Sequence, residues 1–196
     1  MKMLDSVGID EVGRGPIAGP VAVCSFRCKP DFFESIEIKT PLRDSKKLSR
    51  KQREEWCIYL KKAKALGLCD YTVSFVSAET IDKFGIVPAI KKALKVSLEK
   101  VAQTPEDVFV YLDGGLKAPI EFTNQETSIK GDELYPVISC ASIIAKVSRD
   151  AVMTMYAKEH PSYGFEKHVG YGTKAHYEAI KKYGVISLHR KTFLSS

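Results

Sequence analysis

Apolar residues near the start of the chain occur in short runs separated by turn-forming residues. Runs of this length are typical of buried strands and predict strands at residues 3–9, 21–28 and 36–39. Gly15, Pro16, Gly19 and Pro20 mark the turn between the first two. Because strands with short connections pair locally, we expect a meander of hairpins here.

Helical spacing of apolar residues begins at Ser49, where Gln52 completes a capping box. Trp56 and Leu60 follow at helical spacing, and Gly67 ends the segment. The same criteria predict helices at 77–85, 88–102, 136–160 and 173–183, strands at 68–76 and 107–112, a loop with short β structure at 116–130, and a loop at 161–173.

This mixture of strands and helices predicts an α/β fold with a central mixed β-sheet flanked by helices. A chain of 196 residues, 44% of them hydrophobic, is long enough for one domain with a sizeable core. We expect residues 1–155 to form this domain. Residues 156–196 are expected to form a small C-terminal helical lobe packed beside it.

The chain is basic, with a net charge of +6 and a sequence pI of about 9.0. A basic surface favours polyanions such as nucleic acid, although charge alone is also compatible with a basic protein that binds none. Five cysteines without a C-x-x-C pattern suit a reducing cytoplasm. An early acid argues against a signal peptide, and no apolar run reaches the ~18 residues of a membrane span. We therefore expect a cytoplasmic protein with no membrane partner.

Several acids lie near predicted strand ends or tight turns, namely Asp10, Glu11, Asp113 and Asp132. Acids at the ends of neighbouring strands can converge, and four converging carboxylates repel one another unless a cation lies between them. Oxygen ligands suit Mg²⁺ or Mn²⁺ and not Zn²⁺. Each acid alone has an ordinary explanation, since Asp113-Gly114 is a common turn and Asp132 is a typical acid of a first helical turn. Asp150 is a rival for the fourth position, but its mid-helix context favours a structural partner of a basic residue.

Asp10 and Glu11 are consecutive, and consecutive strand residues point to opposite faces of a sheet. Both can face one ion only if the strand ends or kinks at Asp10, and the glycines at 13 and 15 favour an ending. The Gly13-Arg14-Gly15 turn that follows exposes backbone N–H groups where glycine lets another molecule come close. A cation beside bare amides and an arginine suits a phosphodiester.

Six sequence blocks in a fixed order extend over nearly the whole chain. They are GIDEVGRGPIAGPV at 8–21, DSKKLS at 44–49, YLDGG at 111–115, KGDELYPVISCASIIAKVSRD at 130–150, YGFEKHVGYGT at 163–173 and HRKTF at 189–193. Together they resemble the signatures of the type 2 ribonuclease H family (RNase HII). Members of this family are metal-dependent nucleases that act on RNA joined to or paired with DNA.

The resemblance implies an RNase H-like fold and assigns roles by position. The metal-site carboxylates fall on Asp10, Glu11, Asp113 and Asp132, which would hold two Mn²⁺ or Mg²⁺ ions in the catalytic complex. The substrate-binding positions fall on Gly13, Arg14 and Gly15, whose backbone would read the ribose 2′-OH, on Tyr171, which would pack on the deoxyribose after the ribonucleotide, and on Lys46 and Lys47, which would bind phosphates.

The resemblance also implies the reaction and its partners. The enzyme would cut on the 5′ side of a ribonucleotide, leaving a 3′-OH and a 5′-phosphate. Its substrates would be RNA/DNA hybrids and duplex DNA that contains ribonucleotides. We expect a monomer, and the C-terminus has no clear clamp-binding peptide.

Two other classes of function are compatible with parts of this pattern. In a non-catalytic nucleic-acid-binding module, the acids would serve only as helix caps and turns. The other alternative is a Mg²⁺-dependent nuclease of related fold, such as a junction resolvase or a third-type RNase H; the latter generally lacks the Gly-Arg-Gly pattern. The histidines at 160, 168, 176 and 189 lack metal-ligand spacing, so we expect surface or turn positions for most of them. His189-Arg190 is expected to help bind the substrate backbone.

Overall fold

The structure is a computed structural model that describes residues 3–194. The strands are β1 (Asp5–Val12), β2 (Val21–Cys28), β3 (Cys69–Val76), β4 (Val108–Asp113) and β5 (Gln125–Ser128). The helices are α1 (Arg50–Ala65), α2 (Ala78–Phe84), α3 (Ile86–Val101), α4 (Gly131–Leu134), α5 (Pro136–Glu159), α6 (Phe165–His168), α7 (Lys174–Tyr183) and α8 (Lys191–Leu194). Short 3-10 helices lie at Pro30–Ser35, Pro105–Asp107 and Pro161–Tyr163.

The strands form one mixed sheet in the order β3-β2-β1-β4-β5. β1 and β2 form the antiparallel hairpin that their short connection predicts. β3 pairs antiparallel with β2 only after a long connection that contains α1, so the rest of the predicted local meander is absent. β4 and β5 join parallel to β1. Parallel neighbours require crossovers, which α3 and the segment after β4 provide. The predicted α/β fold with a central mixed sheet is confirmed.

Helices cover both faces of the sheet. Consecutive residues of the central strands point to opposite faces, and apolar residues occupy both. On one face, Val7 and Ile9 of β1 share a buried cluster with Leu94 of α3. On the other face, β2 residues share a second buried cluster with α1 and α5. A Cβ at Gly8 would lie 2.3 Å from the carbonyl carbon of Val137, so the missing side chain lets α5 lie directly against β1.

The end of α5 and the segments after it form a third, smaller buried cluster. Ala18 packs there with Met153, Ala157, Tyr163 and Phe165. Helix α5 crosses the expected boundary between residues 155 and 156, and the division into a domain and a lobe stays a prediction. Residues 1–2 and 195–196 of these predicted units lie outside the described residues.

Two local predictions were wrong. Residues 36–39 form no strand; Ile36 and Ile38 are partly buried because they cover the second cluster, and β3 takes the place beside β2. The segment 161–173 is not loop throughout, since it contains a 3-10 helix and α6. Within residues 3–194, no helix is long and apolar enough to cross a membrane.

Candidate active site

The site begins at the C-terminal half of β1, where its two neighbouring strands differ in length. The pairing of β1 with β4 reaches Ile9, whereas its pairing with β2 continues to Val12. The expectation that the strand ends at Asp10 was therefore wrong, because β2 still holds both acids in register; the alternative, a kink at Asp10, stays a prediction. Asp10 and Glu11 remain on a paired strand, just beyond the last β4 partner.

Asp10 is buried on the face that α5 covers, with 8% of its surface exposed. Its Oδ1 accepts a 2.7 Å hydrogen bond from the N–H of Glu11. The pKa of Asp10 is raised to about 8, mainly by burial. A hydrogen bond with Ser142 opposes this shift, and the charges of Glu11 and Asp113 add to it. Ser142 is itself held by Ser45, with 2.8 Å between the two hydroxyl oxygens. A neighbouring cation would stabilise the ionised form of this buried carboxyl group.

Glu11 follows Asp10 on the strand and pairs with an exposed cation. Its Oε1 lies 3.6 Å from Nη1 of Arg14. Burial raises the pKa of Glu11, Arg14 lowers it, and the charge of Asp113 raises it again. Asp113 therefore lies close enough to raise the pKa of both Asp10 and Glu11.

Asp113 and Asp132 are joined through the turn before α4. The N–H of Gly131 donates a 2.7 Å hydrogen bond to Oδ1 of Asp113. Asp132, the next residue, is buried in the first turn of α4. The hydroxyl of Ser139 fixes this turn by donating to the carbonyl of Asp132 at 2.6 Å. A contact between the end of β4 and the start of α4 thus brings two acids together that are far apart in the sequence.

Sequence reasoning missed Asp44, a further buried carboxylate beside Asp132. The pKa of Asp132 is raised to about 6, mainly by burial and then by the charges of Asp44 and Asp113 and a hydrogen bond with Asp44. Both acids line a cavity of about 310 Å³ with Lys47 and Glu133. Asp44 stands first in the DSKKLS block, so the block pointed to this position, but only its lysines drew an interpretation.

The two lysines of that block differ in their surroundings. Partial burial lowers the pKa of Lys46, but the negative charges of nearby carboxylates outweigh this effect, so its pKa is raised overall. These carboxylates are Asp44, Asp10, Asp132 and Asp113. Lys46 is thus the cation that faces the acidic cluster. Lys47 instead forms a 2.8 Å ion pair with Glu133 at the rim of the cavity.

The four predicted acids, with Asp44, form one electrostatically coupled region and not four separate surface positions. Within residues 3–194, however, no three acidic, histidine or cysteine side chains are close enough to hold one metal ion. The donors are oxygens, and burial raises the pKa of Asp10, Glu11 and Asp132, so a cation beside them would stabilise their charged forms. The chemistry of this donor set fits a hard divalent cation.

The Gly13-Arg14-Gly15 loop lies beside these acids and meets Tyr171. Gly13 has φ of +88°, a conformation that favours glycine. A Cβ at Gly15 would lie 3.8 Å from Cε1 of Tyr171, so the ring flanks the loop. Tyr171 is 47% exposed, so its ring is accessible beside the loop. The loop and the ring together border one side of the acidic region.

The prediction of surface or turn positions was wrong for three histidines. His168, His176 and His189 are buried together, and the rings of His168 and His176 stack with centroids 4.3 Å apart. Arg190 is also fully buried and donates to backbone carbonyls of residues 13–19. His189 and Arg190 therefore do not form an exposed phosphate site, because the C-terminal segment packs beneath the Gly-Arg-Gly loop.

Asp150 has the structural role that its helical context predicts. Its Oδ1 accepts a 2.9 Å hydrogen bond from Nζ of Lys146, one turn earlier on α5. The side chain of Asp150 thus pairs with the basic residue Lys146.

Comparisons with known proteins match this chain to one family and one fold. The family model described as Ribonuclease HII matches residues 7–195. A ribonuclease HII of Clostridioides difficile (strain 630) is 42% identical over 189 residues, covering 96% of this chain and 69% of that protein. The Archaeoglobus fulgidus protein in the PCNA:RNase HII complex aligns with a TM-score of 0.76 and 26% identity over 96% of this chain and 94% of that chain.

A more distant structure has the same fold. Bst-RNase HIII in complex with Mn²⁺ aligns with a TM-score of 0.69 and 14% identity, over 97% of this chain and 67% of that one. The family match covers nearly the whole chain, and the acids, the Gly-Arg-Gly loop and Tyr171 all lie within it. The chain therefore belongs to the ribonuclease HII family of metal-dependent ribonuclease H endonucleases.

Proposed function

We propose that this chain hydrolyses the phosphodiester on the 5′ side of ribonucleotides, in RNA/DNA hybrids and in DNA with embedded ribonucleotides. The products would carry a 3′-OH and a 5′-phosphate. One observation carries the proposal: an acidic cluster lies next to a glycine loop and an exposed tyrosine. Such a site combines groups for metal binding with groups for reading a sugar. The cytoplasmic location and monomeric state stay predictions.

Asp10, Glu11, Asp113 and Asp132 would hold the divalent ions, either Mn²⁺ or Mg²⁺. When bound, these ions would neutralise phosphate charge and lower the pKa of the attacking water. Their binding is supported by the raised pKa of Asp10, since an ion compensates the charge that burial disfavours. Asp44 would contribute by holding Asp132 in place.

The remaining residues of the site would position the nucleic acid. Arg14 and Lys46 are exposed cations at the edge of the acidic region and would contact phosphates. Lys47 would reach a phosphate only by leaving Glu133. The 2′-OH distinguishes RNA from DNA at a given nucleotide, so ribonucleotide selection would come from the backbone at Gly13–Gly15. Backbone contacts carry no sequence preference.

A cleavage assay tests the proposed function directly. The protein is incubated with a DNA duplex carrying one ribonucleotide and with the matching all-DNA duplex, in Mn²⁺ or Mg²⁺. We expect a single cut on the 5′ side of the ribonucleotide and an intact control. No cutting in either metal would favour a binding module. A cut all-DNA duplex would favour a general nuclease of related fold.

Tyr171→Ala tests the sugar contact. Packing of the ring against a deoxyribose is worth on the order of 1 kcal/mol, so we expect roughly five- to tenfold slower cleavage at an RNA–DNA junction. Long RNA/DNA hybrids, which lack that deoxyribose, should be cut at nearly the original rate. Tyr183→Ala is the matched control, because Tyr183 is 50% exposed and Tyr171 is 47% exposed. Equal losses on both substrates would contradict the role of Tyr171.

A further inference from the structure

Two arginines lie fully buried beneath the Gly-Arg-Gly loop, and both donate to backbone carbonyls. Arg149 donates to Pro20 at 2.9 Å, Val169 at 2.9 Å and Ala18 at 3.3 Å. Arg190 donates to Gly19 at 3.0 Å, Arg14 at 3.0 Å and Gly13 at 2.7 Å. A buried guanidinium is costly unless its donors are satisfied, so each arginine fixes the carbonyls around it.

The bonds of Arg190 set the direction of two peptide units in the loop. A trans peptide is planar, and its N–H points away from its C=O. The structure has no cis peptide among its described residues. Because the carbonyls of Gly13 and Arg14 point inward to Arg190, the N–H groups of Arg14 and Gly15 point outward. Arg14 and Gly15 are exposed, so these two N–H groups face the side that substrate would approach.

The segment that carries Arg190 is itself tied to the loop and to a ring beside it. The N–H of Arg190 donates to the carbonyl of Ile17 at 2.8 Å. The guanidinium carbon lies 5.2 Å from the ring centroid of Phe193. Burial, followed by the charge of Arg149, lowers the pKa of Arg190 to about 10, so the side chain is still a cation at neutral pH.

A buried histidine pair connects the same segment to Tyr171. Nδ1 of His176 lies 2.9 Å from the carbonyl oxygen of Tyr171, which can only accept, so this nitrogen carries a proton. The bare Nε2 of His176 then accepts from Nε2 of His189 at 3.1 Å. In turn, the bare Nδ1 of His189 accepts from the N–H of Ile186 at 3.0 Å. Burial lowers the pKa of His176 to about 4 and lowers that of His189, which keeps both rings neutral as this chain requires.

We propose that Arg190 is a positioning residue for sugar recognition, which turns the N–H groups of Arg14 and Gly15 toward the ribonucleotide. The histidine pair fixes the segment of Arg190 relative to Tyr171, so both sides of the sugar site share one buried support. Arg190 touches no substrate atom and acts only through the loop. This inference rests on the proposed function.

Arg190→Lys and Arg149→Lys form a matched test. Both variants keep a buried cation and lose the planar guanidinium, but only Arg190 bonds the carbonyls of residues 13 and 14. The readout is the affinity ratio between a DNA duplex with one ribonucleotide and the all-DNA duplex, measured by fluorescence anisotropy with EDTA present. Loss of two oriented donors should reduce this ratio by about tenfold in Arg190→Lys. Arg149→Lys should lower the melting temperature to a similar extent but leave the affinity ratio unchanged.

Phe193→Ala provides a second route should Arg190→Lys not fold. It removes the ring over the guanidinium and leaves its donors, so the affinity ratio should fall a few-fold. An unchanged ratio in a folded Arg190→Lys or Phe193→Ala variant would overturn the positioning role while leaving the proposed function intact. A wild-type protein that neither prefers nor cleaves the ribonucleotide duplex would instead overturn both.

Discussion

The Asp10→Asn variant is expected to lose cleavage of a ribonucleotide-containing duplex by on the order of 10³-fold or more. Metal ions at such a site contribute several kcal/mol to transition-state stabilisation, and each 1.36 kcal/mol is worth about tenfold in rate. The amide is a weaker ligand than the carboxylate and cannot neutralise an ion. Single-turnover cleavage in Mn²⁺ measures the effect.

The same variant is expected to be more stable than the wild type when metal is absent. Burial raises the pKa of Asp10 to about 8, whereas an exposed aspartate has a pKa of about 3.9. Between these values the folded protein holds a proton that the unfolded chain has lost, so the free energy of unfolding falls as pH rises from about 4 to about 8. Asparagine does not ionise, so Asp10→Asn should lack this fall and be more stable by a few kcal/mol near pH 8.

Asp150→Asn is the control for both effects. Asp150 is a carboxylate of α5 that pairs with Lys146, so its loss should leave cleavage and the pH profile close to those of the wild type. Unfolding by guanidinium chloride, with EDTA present, at about pH 5 and about pH 8 measures the free energy of unfolding of each protein. If Asp10→Asn retained cleavage, or showed the wild-type dependence of stability on pH, Asp10 would not be a buried metal ligand.

Gly13→Ala is expected to destabilise the fold by on the order of 3 kcal/mol and to remove activity with it. Residue 13 has φ of +88°, and an added Cβ would lie 2.2 Å from Nε of Arg149 and 2.9 Å from the carbonyl oxygen of Pro20. Backbone strain at this positive φ and steric overlap with Arg149 and Pro20 therefore both destabilise the alanine variant. Thermal melting and cleavage assays measure the two losses.

Gly15→Ala separates the fold from recognition. Residue 15 is not in the left-handed region, and its Cβ would meet only Cε1 of Tyr171 at 3.8 Å. We therefore expect a stability change within about 0.5 kcal/mol, typical of a surface substitution. Cleavage should still fall, because the methyl group occupies the exposed side of the loop. Equal stability of the two alanine variants would show that Gly13 is not constrained as its geometry implies.

Elements whose signals are local could be predicted from the sequence. The capping box at Ser49 and Gln52 forms as expected, and the strand at residues 21–28 has the predicted bounds. Residues 36–39 were misassigned because their apolar pattern serves to cover a core and not to form a strand. The end of β1 was misplaced because pairing with β2 continues past the glycine signal and holds Asp10 and Glu11 in an extended conformation.

The acids and the glycine loop were found because they lie in short motifs, and the structure brings them into one region. Asp44 and Ser142 were missed, and Arg190 was wrongly expected to contact the substrate backbone, because their contacts arise between distant segments. Arg190, for example, acts on residues more than 170 positions earlier. No local pattern distinguishes such an arginine from an exposed one that binds phosphate.

The unequal lengths of the two neighbours of β1 have a consequence for how a polymer can reach the acids. Because the pairing of β1 with β4 stops at Ile9 while its pairing with β2 continues to Val12, the paired part of the sheet has a step of three residues, or roughly 10 Å, at its centre. Exposed positions at Arg14, Gly15 and Gly115 leave this step open to the side. Under the proposed function, a continuous double strand would approach the acids from this side, and no free end would have to be threaded. The shape of the sheet itself thus suits attack at an internal linkage.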